Sequence, residues 1–445
     1  MIHGGKMMKL WPVTLVILAA LLTPACATGR PEPVPLPVGV VAASHLEAAA
    51  SPLPVDLMEP LTPDSIAMIA VYTNPELRAL RAREGVAEAQ LFAAGLLPDP
   101  AFSFGFDTPL NGSGLVTALA GSLGLDLAAL ARRPDLVQGA RSNLDQVRLD
   151  ILWAEWLTAE QARLASLRVT RLQTIRQMTM VLRQQADDAM GRVLSATQRG
   201  DLPAAQLETY RLAASDAAAR DRDVERRLRA AELDLNRLLG IDPTETLQLA
   251  PGSARRENLP DAEQILARAV DSRADLAALR AAYQSVEVNL DLALLSRFPF
   301  PSVSINAARD TGALRTLGPA VSLNIPIFNG GRGEIAVSRA TREQFYAEYM
   351  ARLEAVRAEI YSTHSALTLA RQQHAELDRE TAALLPMADA AEDAAMRGDL
   401  PLAVALATRM TALDKQIVAA ELALSADELE LGLELLSGRR WDNSQ

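Results

Sequence analysis

The sequence predicts a mostly helical fold with a minor β component. It reads as a tandem repeat in which each half carries one β-hairpin and one long coiled-coil helical hairpin. Three observations predict this. Arg199-Gly200-Asp201-Leu202-Pro203 recurs identically as Arg397-Gly398-Asp399-Leu400-Pro401, an offset of 198 (397 minus 199). Long stretches poor in Pro and Gly, with apolar residues at helical spacing, flank each copy. Upstream of each stretch, two short segments alternate apolar with small or polar residues, the period of a strand.

Composition bounds the function. The 445 residues carry 44 Lys and Arg against 55 Asp and Glu, a net charge of −11. Nucleic-acid binders normally show a basic excess or stripe, so no nucleic acid is expected as partner. The single Cys excludes an internal disulfide and a Cys-rich metal site. Four His, at His3, His45, His364 and His374, leave little for a His-based site, and no metal or cofactor is expected. Four Trp, six Tyr and eight Phe beside abundant Ala, Leu, Arg and Glu favour long helices.

Residues 1–26 read as an export signal. Lys6 and Lys9 precede an apolar run from Leu10 to Leu22, and small residues follow at Ala25, Cys26 and Ala27. The run is too short for a stable transmembrane helix. Cys26 stands where a bacterial lipobox places its acylated Cys, although Thr23 occupies the usual Leu position. Two readings are open: lipidation at Cys26, or ordinary cleavage after Ala25 or Ala27. Residues 27–62 are rich in Pro and Ala and read as an extended tether.

The repeat then occupies residues 63–240 and 263–438, joined by a linker at 241–262 and followed by a tail at 439–445. Leu238-Leu239-Gly240 meets Leu436-Ser437-Gly438, and Leu125-Asp126-Leu127 meets Leu323-Asn324-Ile325, at the same offset. Such self-similarity implies one structural unit used twice. The first unit opens with Asn74-Pro75, an N-cap followed by Pro, and its helix runs to Gly95. A hairpin is expected over 100–130. Phe102, Phe104 and Phe106 share one face, as do Leu115, Thr117, Leu119, Leu123, Leu125 and Leu127; Ser103, Gly105, Ser122 and Gly124 share the other. The second hairpin, over 301–328, sets Val303, Ile305, Leu317, Val321, Leu323, Ile325 and Ile327 against Ser302, Ser304, Asn306, Gly318 and Ser322. An apolar helix is the rival reading of 115–131, and Gly121, Gly124 and Asp126 argue against it. A soluble β-ribbon packed on helices is the rival for both hairpins. Few Trp or Tyr flank the strands, which weighs against a membrane girdle.

Helical hairpins are expected over 134–240 and 333–438. Val137, Ala140, Leu144, Val147, Ile151 and Ala154 step by three and four, a coiled-coil seam. Each hairpin turns at its Gly-Asp-Leu-Pro. With apolar strand faces toward lipid and small faces toward water, the hairpins fit the dyad pattern of a transmembrane barrel. Four strands cannot close one, and open edges in lipid are costly. Three copies supply twelve strands, so a homotrimer is expected, with a twelve-stranded transmembrane β-barrel above a tube of long helices.

This organisation resembles the TolC-like outer-membrane efflux proteins (outer-membrane factors). The resemblance rests on Asn74-Pro75-Glu76-Leu77, on Gly95-Leu96-Leu97-Pro98-Asp99-Pro100, and on Leu235-Asn236-Arg237-Leu238-Leu239-Gly240. Gly318-Pro319 leading to Ile325-Pro326-Ile327-Phe328-Asn329-Gly330-Gly331-Arg332 completes it. It implies a trimeric outer-membrane channel, its barrel in outer-membrane lipid above a periplasmic α-helical tunnel, in a tripartite export machine with a periplasmic adaptor and an inner-membrane pump as partners. It also implies that the two Arg-Gly-Asp-Leu-Pro turns are periplasmic tips that close the channel and meet the adaptor. Gly200 and Gly398 would permit the turn, Leu202 and Leu400 offer apolar contacts, and Arg199, Asp201, Arg397 and Asp399 polar contacts and tip-to-tip pairing. Plain helix–turn–helix corners are the other reading of these residues. Val404 and Ala407 stand where relatives carry a ring of acids, so no such ring is carried over; Asp201 and Asp399 are the nearest substitutes.

No phosphate loop, nucleophile–base pair or ligand cluster appears, so no enzyme is expected. Passive conduction is the mechanism the resemblance implies. The alternative is an exported, lipid-anchored coiled-coil scaffold without a pore; a pore-forming toxin is a third reading, which leaves the duplicated tips unexplained.

Overall fold

The computed structural model describes residues 45–252 and 258–441. The signal segment with Cys26, the first part of the tether and the end of the tail lie outside the described residues. Contacts divide the chain into residues 1–42 and 43–445, and all that follows concerns the second unit.

The elements are α1 (Leu46–Ala50), α2 (Pro63–Thr73), α3 (Pro75–Gly95), β1 (Ala101–Asp107), β2 (Ala118–Asp126), α4 (Leu127–Gln198) and α5 (Ala204–Leu239). A second set follows: α6 (Ala262–Ser272), α7 (Ala274–Leu295), β3 (Pro301–Arg309), β4 (Arg315–Leu323), α8 (Arg332–Met396) and α9 (Leu402–Ser437). The order α2-α3-β-β-α4-α5 is thus repeated as α6-α7-β-β-α8-α9.

The extended tether expected through residue 62 ends earlier. Residues 46–50 are helical, Ala50 is buried, and Leu53, Val55 and Leu57 pack against the main core. Leu61 is buried, and its amide donates to the Gln248 carbonyl at 2.7 Å while its carbonyl accepts from Ala250 at 2.9 Å. The prolines here are interleaved with apolar residues, and burying those outweighs the solvated extended state.

Each half begins with a helical corner. The Thr62 hydroxyl accepts from the Ser65 amide, and the Asn74 side chain accepts from Glu76 and Leu77. Pro63 and Pro75 take first helical positions, where a missing N–H costs nothing. The corner then docks on the end of its own long hairpin. Thr73 Oγ1 donates to the Leu239 carbonyl (2.5 Å) and Asn74 Nδ2 to Leu238 (3.0 Å). The second half repeats this with different residues: Ser272 Oγ to Ser437 (2.6 Å) and Arg273 Nη1 to Leu436 (3.0 Å). Gly240 and Gly438 end the two hairpins in the left-handed region, at φ 62° and 69°.

The long helices set the scale. α4 has 72 residues, about 108 Å at 1.5 Å per residue. α8 has 65. The expected start of α4 at Pro134 gives way to Leu127. Asp126 is the cap, its carboxylate accepting from Ala128 and Ala129, and Pro134 lies inside the helix. Leu144 and Ile151 of the seam are buried, with Gly139 packed under Val288. The main core joins Ile66 and Ile69 of α2 to Val169, Leu172, Ile175, Val224, Leu228 and Leu235 of the first hairpin, and takes in Ile417 and Leu424 of α9. A smaller core gathers Ile265, Val356, Ile360, Leu367, Leu433 and Trp441.

The four strands form one antiparallel sheet in the order β1-β2-β3-β4. The strands are shorter than expected. Leu115, Thr117 and Leu127 fall outside them, and so do Ile325 and Ile327. Pro326 cannot donate to a ladder, and the Ile327 amide bonds back to Ile325 at 2.9 Å.

Candidate functional site

Register sorts the sheet into two unlike faces. Phe102 pairs with Leu123, Leu123 with Ile305, and Ile305 with Pro319. Leu125, Val303 and Val321 form the next row toward the helices. Side chains on this face are exposed: Phe102 by 72%, Val321 by 70%, and Leu317, which pairs with Ala307 further along, by 77%. The opposite face carries Ser103, Ser122, Asn306 and Gly318 in one row and Asp126, Ser302 and Ser322 in another. Its hydroxyls bond across strands, Ser103 to Ser122 at 2.8 Å and Ser302 to Ser322 at 2.6 Å. An exposed apolar face backed by a hydrogen-bonded polar face is the reverse of a water-soluble ribbon, whose apolar face is covered. β1 and β4 also remain open edges.

At the other end of the long helices stand the two identical turns. Gly200 has φ 81° and Gly398 φ 82°. Nothing lies within 4 Å of a Cβ built on either, so backbone conformation, not crowding, demands glycine. The amide of Asp201 donates to Ala196 and that of Asp399 to Ala394, both at 2.9 Å, closing each helix end in a Schellman motif. Arg199 pairs with Asp201 (2.9 Å) and Arg397 with Asp399 (3.1 Å). Within one chain the pairing is therefore inside each tip rather than between tips. Leu202 is half-buried against Ala189, Val193 and Tyr210, so it serves the first hairpin's own packing. Leu400 is half-buried as well.

No family model matches the chain, and no curated protein matches it. Solved structures do. The outer-membrane channel OprN has a TM-score of 0.72 over 92% of this chain and 99% of its own, at 14% identity. The Campylobacter jejuni outer membrane channel CmeC has 0.69 over 93% and 95%, also at 14%. The open state of the Neisseria gonorrhoeae MtrE outer membrane channel has 0.68 over 85% and 89%, at 15%. This chain has the fold of the outer-membrane channels. The likeness agrees with the TolC-like architecture read from the sequence.

In this channel fold the two hairpins of one chain are tied together by groups that the sequence did not announce. Tyr210 Oη donates to the Ala403 carbonyl at 2.7 Å, just above the tips, and burial pushes its hydroxyl pKa up. Further along, Arg220 of α5 reaches Asp414 and Glu421 of α9, and Arg227 reaches Glu421 at 3.1 Å. Arg168 and Arg171 of α4 pair with Glu428 and Asp427, both at 2.6 Å. A basic stripe on the first hairpin thus meets an acidic stripe on α9.

Two buried charged clusters lie beside the corners. Arg273 is buried, stacks on Trp153 at 4.3 Å, and pairs with Asp275 at 2.7 Å. Arg352 adds a second cation to Asp275 at 2.9 Å. Burial raises the Asp275 pKa, but bonds and charges from the two arginines outweigh it and hold the carboxyl below its usual value. Glu160, paired with Arg163, is pushed the other way: burial dominates and raises its pKa. His364 bonds the Pro260 carbonyl at 3.1 Å, a packing contact. Among the described residues, no three His, Cys, Asp or Glu stand close enough to hold a metal.

Proposed function

We propose that the chain is the outer-membrane channel of a tripartite export system: a homotrimer whose twelve strands line a passive exit duct. The sheet carries the reading. Its apolar face is uncovered and both edges are unpaired, an arrangement stable in lipid only when neighbouring copies complete the ladder. Among the described residues no helix is long and apolar enough to cross a membrane.

In this reading the small, hydroxyl-bearing face lines the lumen, and the long hairpins form the periplasmic tunnel. The tips at Arg199–Leu202 and Arg397–Leu400 close it and meet a periplasmic adaptor, while an inner-membrane pump supplies the energy. Opening separates hairpins, so the Tyr210–Ala403 bond and the Arg220 and Arg227 pairs resist it. Cys26 acylation would add an anchor to the same membrane.

Two experiments test the reading. Detergent-extracted protein should run as a heat-resistant trimer and give ion conductance in planar bilayers; a water-soluble monomer without conductance overturns it. Leu202→Asp with Leu400→Asp should abolish export and adaptor crosslinking while trimers persist; intact export and crosslinking would remove the tips from the contact.

A further inference from the structure

The open sheet carries one feature that conduction does not use. Arg309 and Arg315 stand directly opposite each other at the end of β3 and the start of β4. By register they share the face of Ile305, Ala307, Leu317 and Val321, the face read above as meeting lipid. Their row continues through Leu119 to Phe106.

Their height is informative. The helices leave the sheet at Ala101, Asp126, Pro301 and Leu323, so the hairpin turns lie at the opposite, outer end. Arg309 stands eight residues beyond Pro301, about 26 Å along the strand. A tilt of about 40° leaves roughly 20 Å along the membrane normal, which brings the backbone close to the upper edge of an apolar band of about 25 Å that begins at Pro301, within the reach of an Arg stem. A lipid-facing Arg is costly at the midplane and almost free at the boundary, where its stem lies along apolar surface and its head reaches the headgroups. The pair therefore fits the outer headgroup level.

The two charges lack a carboxylate. Neither forms an ion pair among the described residues. Asp310 is beside them in sequence, but its Oδ1 accepts from the Leu314 amide at 2.9 Å. Asp107 projects on the other face. Like charges facing each other across strands destabilise a sheet unless an anion lies between them. Two guanidinium forks match a phosphate, and their joint charge matches a monoester better than a zwitterionic headgroup's diester.

We propose that Arg309 and Arg315 form a clasp for a phosphate monoester on a glycolipid of the outer leaflet, one clasp per chain and three per trimer. This rests on the barrel reading above. The clasp fixes the upper edge of the membrane in a sheet whose aromatic girdle is sparse.

The test uses the full-length trimer in detergent, titrated with diphosphorylated lipid A, its dephosphorylated form and phosphatidylethanolamine, and read by native mass spectrometry. Wild type should retain the diphosphorylated lipid. Arg309→Gln with Arg315→Gln should retain it roughly tenfold less, the loss of one or two charge-assisted bonds. The dephosphorylated lipid should bind wild type as weakly as the phosphorylated one binds the variant. The variant's trimer and conductance should be unchanged. Equal retention by the variant, by the dephosphorylated lipid or by phosphatidylethanolamine overturns the clasp while leaving the barrel intact. A wild-type chain that forms no trimer overturns the barrel and the clasp with it.

Discussion

Gly240 and Gly438 show how one residue position can serve the same purpose in two settings. Both close a long helix in the left-handed region, and both sit against a corner. A Cβ on Gly438 would come within 2.9 Å of Arg273 Cγ and 3.1 Å of its Cα; on Gly240 it would meet Pro75 Cδ and the Thr73 carbonyl at 3.1 Å. Substituting Ala at either site should cost about 1–3 kcal/mol, from φ strain and contact together. Gly438→Ala should cost more, because the approach there is closer, at 2.9 Å, and two backbone atoms of Arg273 rather than one stand in the way. Lowered melting midpoints measure it, and unchanged midpoints would mean the corner yields freely. Asp275 gives a pH prediction of definite sign. Its folded pKa is depressed, so its stabilisation is full above the ordinary Asp value and is lost as pH falls through the folded one. Wild type should lose melting temperature steeply on acidification below about pH 4, and Asp275→Asn should show a smaller acid loss. At neutral pH that variant leaves Arg273 buried beside a neutral amide and should be several kcal/mol less stable, about 3–5 by analogy with broken buried pairs. Glu160 is the opposite case. Its raised pKa means stability that is lost as pH rises through the folded value, so Glu160→Gln should abolish any gain on acidification from neutral toward pH 5.

At the scale of elements, the repeat was legible because its marks are local. A left-handed Gly after a helix, a Pro-started helix and a period-two run each leave a trace in a few neighbouring letters. The places where the sequence misled are those where two local rules compete. Leu125-Asp126-Leu127 continues the strand alternation, yet Asp126 is also a helix cap, and the cap ends the strand. Pro134 looks like a first helical residue but stands one turn and more inside α4. Asp126→Ala removes the cap bonds and should lower the melting midpoint by the equivalent of about 1 kcal/mol; an unchanged midpoint would mean the preceding strand alone positions the start of α4. The links between hairpins were illegible for a different reason. Tyr210 meets Ala403 across 193 residues, and Arg220 meets Asp414 across 194. Nothing near either residue encodes a partner so distant. The repeat does give the explanation afterward: these separations are close to the repeat length, so equivalent positions on neighbouring hairpins become neighbours in space.

For the whole molecule the decisive quantity is closure. A single chain leaves β1 and β4 unpaired; on the proposed channel reading each unsatisfied backbone group in lipid would cost several kcal/mol, so the edges would have to meet something. If they meet sister chains around a threefold axis, β1 of one copy lies beside β4 of the next, and the series ends where it began. Ser103 in β1 and Gly318, Ala320 and Ser322 in β4 lie on the small face, where a crosslink would not disturb lipid contact. In a Cys26→Ser background, Ser103→Cys combined in turn with Cys at each of those three positions should yield covalent dimers and trimers in at least one register. The trimer should be the largest product however long oxidation runs, since a ring of three has no free end. Either single substitution should give at most a trace of dimer, because like edges do not meet in a head-to-tail ring. Products extending beyond trimer would mean an open, filament-like series, and absence of any ladder in all three registers would mean that the edges are covered by something other than a second copy.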